Sequence, residues 1–215
     1  MIRFCTMRIR IESISISAGK ENGDYILHQE LPNGATLILL ADGIGGLSLP
    51  WMASKIICEA ISEYFVNTDV TDCTEHIRRS ITYADNRLAD SCKEKKCKMG
   101  VALLLAYISD DMLFYTSLGN VRLYYRDEQG DVIQLTNDNV IVQGIDTYLI
   151  TRIAGRGFRT PIQVQYLPLN VGDSLLLCSD GYYTVQNIFD CFSCKDLPIS
   201  PLIEDDSSVV RIKVI

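Results

Sequence analysis

Thr36 to Gly46 reads TLILLADGIGG, an apolar run that stops abruptly in a carboxylate and glycines. Leu37, Ile38, Leu39, Leu40 and Ala41 form a strand that is apolar on both faces, a pattern that a water-exposed edge does not tolerate. Asp42 therefore leaves the core at a strand end. Ser174 to Gly181, SLLLCSDG, repeats the construction and makes Asp180 the counterpart of Asp42. Acidic residues also stand at the opposite ends of strands, since Asp24 precedes YIL and Asp205-Asp206 precede SSVVRIKVI. Pro32-Asn33-Gly34 is a strong turn signal, and Asn33 lies midway between Asp24 and Asp42. A regular hairpin sets those two carboxylates face to face across its mouth. A cluster of ionised carboxylates repels itself, and hard divalent cations such as Mg²⁺ or Mn²⁺ are the usual remedy.

Length and composition describe one domain over residues 1–215 with enough apolar content, 47%, to bury a large core. The formal charge of −7 argues against nucleic acid or an anionic membrane as the main partner. No apolar stretch reaches the length of a signal peptide or the roughly 18 residues of a membrane span. The expectation is a soluble, cytoplasmic monomer whose eight cysteines are reduced thiols. Cys58 and Cys178 lie in apolar runs and read as core residues. Cys92-x4-Cys97 and Cys191-x2-Cys194 have ligand-like spacing that would suit a joint zinc site, a weak signal by spacing alone.

Met7 to Ser17 places Ile9 and Ile11 in one phase of alternation and Ile14 and Ile16 in the other, which reads as a strand with a bulge near Glu12-Ser13. After Gly46 the period becomes helical. Ala53, Ile56, Ile57, Ala60, Ile61, Tyr64 and Phe65 make an apolar stripe, with Pro50 in the first turn. A second helix begins near Thr71-Asp72, where Asp72-x-x-Glu75 resembles a capping box, and turns Cys73, Ile77, Ile81, Ala84 and Leu88 inward. The short Asn67–Val70 link makes the two helices antiparallel neighbours on a sheet. Lys93 to Lys98 reads as a solvated loop. A meander follows with strands at Val101–Ile108, Met112–Ser117, Val121–Tyr125, Val132–Leu135 and Ile162–Leu167. Tyr148–Gly157 fits either a helix or a loop. Strands, two helices and a long meander define an α+β layered fold.

These segments, from about Ser15 onward, resemble the metal-dependent protein serine/threonine phosphatases of the protein phosphatase 2C family in compact bacterial form. ENGD (Glu21–Asp24) resembles the family's Asn-x-Asp box and ADGIGG its Asp-Gly-x-Gly-Gly box. SLGNVRLYYRDEQGDVIQLTND (Ser117–Asp138) resembles its Gly-Asp-Ser-Arg strand with the following Leu-Thr-x-Asp. LNVGDSLLLCSDGYY (Leu169–Tyr183) is the best match, and EDDSSVVRIKV stands where the family has Asp-Asn-x-Thr. The resemblance implies an αββα sandwich of two packed antiparallel sheets flanked by helices. It also implies hydrolysis of phosphoserine and phosphothreonine in protein substrates by a water bridging two Mn²⁺ or Mg²⁺ ions, opposite a cognate serine/threonine kinase. Carried over by position, Asp24 would serve one ion, Asp42 would bridge both, the Gly43 carbonyl would add an oxygen, and Asp180 and Asp205 would hold the other ion.

The chain departs from the family pattern at several places. The phosphate-gripping arginine is replaced by Gly19 with Lys20 beside it, and lysine supplies charge without the bidentate fork. Gly119-Asn120-Val121-Arg122 puts an amide where a carboxylate would help hold a third metal, and Asp206 takes the place of an asparagine. Thr136–Thr160 leaves room for only a short flap, and the span from Asp180 to Asp205 is cut down. The rival reading is a catalytically weak or inactive module of the same fold that binds a phosphoprotein partner. ADGIGG followed by a helix superficially resembles a dinucleotide-binding turn, but the glycines follow G-x-G-G and a second helix stands where the required parallel strand would, which argues against it.

Overall fold

The computed structural model describes residues 8–69, 71–144, 147–201 and 203–215. It begins with strands β1 (Ile9–Ile16), β2 (Asp24–Glu30) and β3 (Thr36–Gly43), followed by helices α1 (Pro50–Asn67) and α2 (Cys73–Lys95). The meander contains β4 (Val101–Ser109), β5 (Met112–Leu118), β6 (Arg122–Arg126), β7 (Val132–Gln134), β8 (Val140–Gly144), β9 (Thr147–Ile150), β10 (Gln165–Pro168) and β11 (Ser174–Cys178). Two short helices, α3 (Asp180–Tyr183) and α4 (Ile188–Ser193), precede β12 (Ser207–Val214).

Two five-stranded antiparallel sheets, ordered β1-β12-β11-β6-β7 and β10-β5-β4-β3-β2, stack on one another, and β8-β9 form a separate ribbon. β3 shows why its sequence is apolar throughout. Leu37, Leu39 and Ala41 pack beneath α1 and α2, whereas Ile38 and Leu40 face the other sheet. A third core, built on Leu176, Cys178, Tyr182, Cys191 and Phe192, covers the outer face of the first sheet. The layers therefore run helix, sheet, sheet, helix, as the resemblance implies.

Several expectations change once long-range packing is in view. β1 pairs with β12 without interruption from Ile9↔Val214 to Ile16↔Ser207, so the expected bulge at Glu12-Ser13 is absent. The phase change arises because Ile9 and Ile11 enter the intersheet core while Ile14 enters the outer one. Met7, the expected start of this strand, lies outside the described residues, as does Val70 at the end of the interhelical link. Lys93 and Lys95 belong to the last turn of α2, so only the end of the basic run is a loop. Within Tyr148–Gly157, β9 is a strand paired with β8, and the remainder is a loop touching β4 through an Ala154–Val101 bridge. β10 starts at Gln165 rather than Ile162, because the preceding carbonyls accept from side chains, Arg78 Nε to Ile162 O and Thr116 Oγ1 to Gln163 O.

The zinc expectation also falls. Cys92 and Cys97 pack against the α1–α2 core, while Cys191 is buried in the core on the opposite outer face. Two sheets separate the pairs. Of the helix signals, Asp72 caps α2 by accepting from Thr74 N and Glu75 N, but Glu75 turns to Arg79 instead of back to the cap.

Leu39→Ala and Leu40→Ala each empty a fully buried site, one on each side of β3, and each should cost about 2–5 kcal/mol in urea unfolding. A neutral Leu40→Ala would contradict the intersheet core.

Candidate metal centre

β2 and β3 pair through the turn at 31–35, where Leu31 N donates to Ala35 O and Gly34 N to Leu31 O. The register places Asp24 directly opposite Asp42. Asp24 is 5% exposed, and its Oδ2 accepts from Ser179 Oγ at 2.7 Å. Ser179 closes β11 in the other sheet, and its Oγ in turn accepts from Ser208 N at 2.9 Å. One carboxylate thus ties the two sheets together at this end of the sandwich. Asp24 Oδ1 is buried and has no hydrogen-bond partner among the described residues.

The two Asp-Gly steps are fixed by close backbone approach. A side chain at Gly43 would overlap the backbone of Pro50 at the start of α1, and one at Gly181 would overlap the Asp206 carbonyl. Glycine at both positions lets α1 and the β12 approach close down on the acids. Asp180 is the first residue of α3 rather than the strand end the sequence suggests. Its Oδ1 accepts from Gly181 N at 2.9 Å and its Oδ2 from Asn120 Nδ2 at 2.6 Å.

Burial first, and neighbouring acids second, raise the pKa values of Asp24, Asp42 and Asp205. Burial pushes Asp24 up to about 7 against the pull of the Ser179 hydroxyl, and the charges of Asp206 and Asp180 add to the rise. Asp42 stands well above the ordinary carboxyl range, through burial first and then through Asp24 and Asp180. Asp205, on the exposed rim, is raised by partial loss of hydration and by Asp180 and Asp206, against a hydrogen bond from Asp206 N.

Neighbouring groups divide between supports and bystanders. Asp206 accepts from Ala18 N at 2.8 Å and Gly23 N at 2.6 Å, clamping the loop that leads into Asp24. Gly23 O accepts from Gly43 N and from the buried Ser54 Oγ. Arg122 forms a forked pair with Asp138, 2.7 Å at the shorter contact, and lies 3.8 Å over the Tyr183 ring. Lys20 is exposed on the 17–23 loop, and no hydrogen bond or ion pair joins it to the acids. Ser179 as a donor to Asp24 and Asp206 as a loop clamp both depend on contacts between distant segments, which local sequence pattern does not report. The Ser179-Asp180 step at the end of β11 is the local sign of the first contact.

An all-carboxylate oxygen set with a buried, unpartnered oxygen and raised pKa values suits hard divalent cations. Among the described residues no three His, Cys, Asp or Glu side chains are grouped closely enough to hold one metal ion between them.

A two-sheet sandwich flanked by helices, with acids gathered at one end, defines a phosphatase-like architecture, and comparison with known proteins agrees. The family model described as Protein phosphatase 2C matches residues 14–204. The chain belongs to the protein phosphatase 2C family. It is 25% identical over 212 residues to Protein phosphatase PhpP of Streptococcus pneumoniae, a match covering 88% of this chain and 84% of that one. The fold is shared with PppA of Pseudomonas aeruginosa, with a TM-score of 0.82, 21% identity and 98% and 99% of the two chains covered. It is shared too with the catalytic domain of the serine threonine protein phosphatase PstP in complex with two manganese ions, with a TM-score of 0.79, 19% identity and 98% and 100% covered.

A carboxyl whose pKa is higher in the folded than in the unfolded state favours folding below its unfolded value, and it loses that contribution as pH rises through the folded value. For Asp24 this window runs from 3.8 to about 7. In chelator, wild type should therefore lose stability relative to Asp24→Asn as pH is raised from 4 to 8. Urea midpoints that stay parallel across that range would contradict the buried charge.

Asn120→Asp would set a second carboxylate against Asp180. The variant should unfold more readily than wild type in chelator at pH 8 and gain more from added Mn²⁺. Equal response of both proteins to Mn²⁺ in thermal melts would place Asn120 outside the centre.

Proposed function

We propose that this chain is a Mn²⁺- or Mg²⁺-dependent phosphatase that hydrolyses phosphoserine and phosphothreonine in proteins, with Asp24, Asp42, the Gly43 carbonyl, Asp180 and Asp205 holding two ions. The observation that carries the reading is the direct opposition of Asp24 and Asp42 across β2 and β3, with charge from Asp180 bearing on both. Family membership and the manganese in PstP support the metal and the reaction class.

Such ions, when bound, lower the pKa of water and offset charge developing on phosphoryl oxygens. The chain's own part is to hold the carboxylates in place. Ser179 orients Asp24, Asn120 orients Asp180, and Asp206 with Ser54 fixes the Gly23 backbone between them. Preorganisation of this kind lets the site meet developing charge without rearranging first.

The proposal includes a single domain over 1–215, action as a monomer in the cytoplasm and a serine/threonine kinase that makes the substrate. No helix among the described residues is long and apolar enough to cross a membrane, and the acidic balance of −7 disfavours nucleic acid and anionic membrane.

Hydrolysis of an aryl phosphate and of a phosphothreonine peptide should require Mn²⁺ or Mg²⁺ and stop with chelator. Asp42→Asn and Asp180→Asn should each lower kcat at least about 100-fold, equivalent to roughly 2.7 kcal/mol of transition-state stabilisation, while the circular dichroism spectrum is retained. Full activity in either variant with unchanged metal content would remove that residue from the site.

A further inference from the structure

Between Asp146 and Asp173 this acidic chain contains no Asp or Glu and carries Arg152, Arg156 and Arg159. The three arginines line one cleft of about 600 Å³, together with Leu149, Ile150 and Phe158. Arg152 braces the loop internally, its Nη2 donating to Thr160 O at 3.0 Å and Pro161 O at 2.8 Å. Arg156 and Arg159 are exposed, and neither forms an ion pair with a described residue.

The loop that presents them is held from behind. Asp85, 5% exposed on α2, accepts from Gly155 N at 2.6 Å and Gly157 N at 3.0 Å, so both carboxylate oxygens grip the backbone on either side of Arg156. Ala154 exchanges hydrogen bonds with Val101, at 2.9 and 3.1 Å, and Val101 is the register partner of Gly43. Ala154, in the loop that carries the cleft, therefore lies about two strand spacings, or ~10 Å, from Gly43 at the strand end that carries Asp42. An extended peptide covers that distance in about three residues.

We infer that Arg156 and Arg159 dock acidic side chains of the substrate about three residues from the phosphorylated one, so that the enzyme selects phosphoproteins with acidic flanks; this rests on the phosphatase reading. The charges divide the task. The carboxylate centre repels acidic peptide unless cations fill it, whereas the arginine cleft attracts it directly. Arginine suits this role because its fork pairs with carboxylate in two-point geometry, and anchoring by Asp85 lowers the ordering cost of binding.

The test compares two phosphothreonine peptides, one with Glu and one with Gln at the third positions on either side, for wild type and the Arg156→Gln/Arg159→Gln double variant. Wild type should show a KM about threefold lower for the Glu peptide, the scale of one partly exposed ion pair made by whichever flank reaches the cleft, with similar kcat for both. The preference should shrink with added salt and be lost in the double variant. A second measurement needs no turnover: with Mn²⁺ present, fluorescence anisotropy should show the unphosphorylated Glu peptide binding wild type more tightly than the Gln peptide. Equal KM values for wild type, a preference that survives the double substitution, or an oligonucleotide that competes as well as the Glu peptide would overturn the inference. If wild type hydrolyses no aryl phosphate, the phosphatase reading fails, and the anisotropy comparison still decides whether the cleft takes acidic peptide.

Discussion

Two carboxylates placed opposite each other at the end of an antiparallel pair set the terms for this molecule. Asp24 and Asp42 sit where neighbouring Cα atoms are about 5 Å apart, with Asp24 almost wholly removed from water. Charge held so closely opposes folding, and an apolar pair at the same place would be more stable. The rest of the fold has to outweigh that penalty. It does so with cores on both sides of β3, where Leu37 to Ala41 are fully buried, and each such leucine or isoleucine contributes about 1.5–3 kcal/mol relative to exposure. A centre of repelling acids survives because it stands at the edge of an unusually well-buried strand.

The same constraint explains why the sheets meet as they do. The acids come from both sheets, so the centre exists only if the sheets keep one relative position. Ser179, at the end of β11, donates to Asp24 at the start of β2, and Asp206, before β12, takes Gly23 N. Both Asp-Gly steps admit backbone that any side chain would displace. These contacts form a short circuit of hydrogen bonds across the sandwich end. They use backbone donors and hydroxyls, which orient a carboxylate without neutralising it, so its negative charge is kept for a cation.

How much of this could be read from residues alone depended on the range of the interaction. The β2–β3 hairpin was legible by counting outward from Asn33, because hairpin register is local. The three-layer burial of β3 and the stripes of α1 and α2 were legible because period reports on faces. β1 was misread, since the shift from Ile11 to Ile14 reports two different cores and not a bulge, and only β12 on one side and α4 on the other reveal that. The cysteine pairs failed for a related reason: spacing within each pair cannot say that two sheets lie between them. β9 was hidden because Thr147 to Ile150 is short and its partner β8 is mostly exposed. At the centre, the acids announced themselves by ending apolar runs, whereas Ser179 and the donor role of Asn120 depend on partners 155 and 60 residues away.

Asn120 gives the departures from the family pattern a physical meaning. Its Nδ2 donates to Asp180 at 2.6 Å, in a residue that is 1% exposed, and its backbone carbonyl accepts from the hydroxyl of Tyr183, whose ring lies under Arg122. A neutral donor here holds Asp180 in place whether or not a cation is near, while a carboxylate would require one. The chain therefore substitutes a fixed hydrogen bond for part of the charge compensation that a cation would otherwise supply. Compared with a carboxylate at this position, the amide adds no negative charge beside Asp180. Lys20 does not offset that change, because it stays in solvent on its loop. The arginines inferred to meet the substrate chain stand instead on the Asp85-anchored loop, where Arg156 and Arg159 are exposed. The balance shifts from gripping phosphate toward recognising what surrounds it.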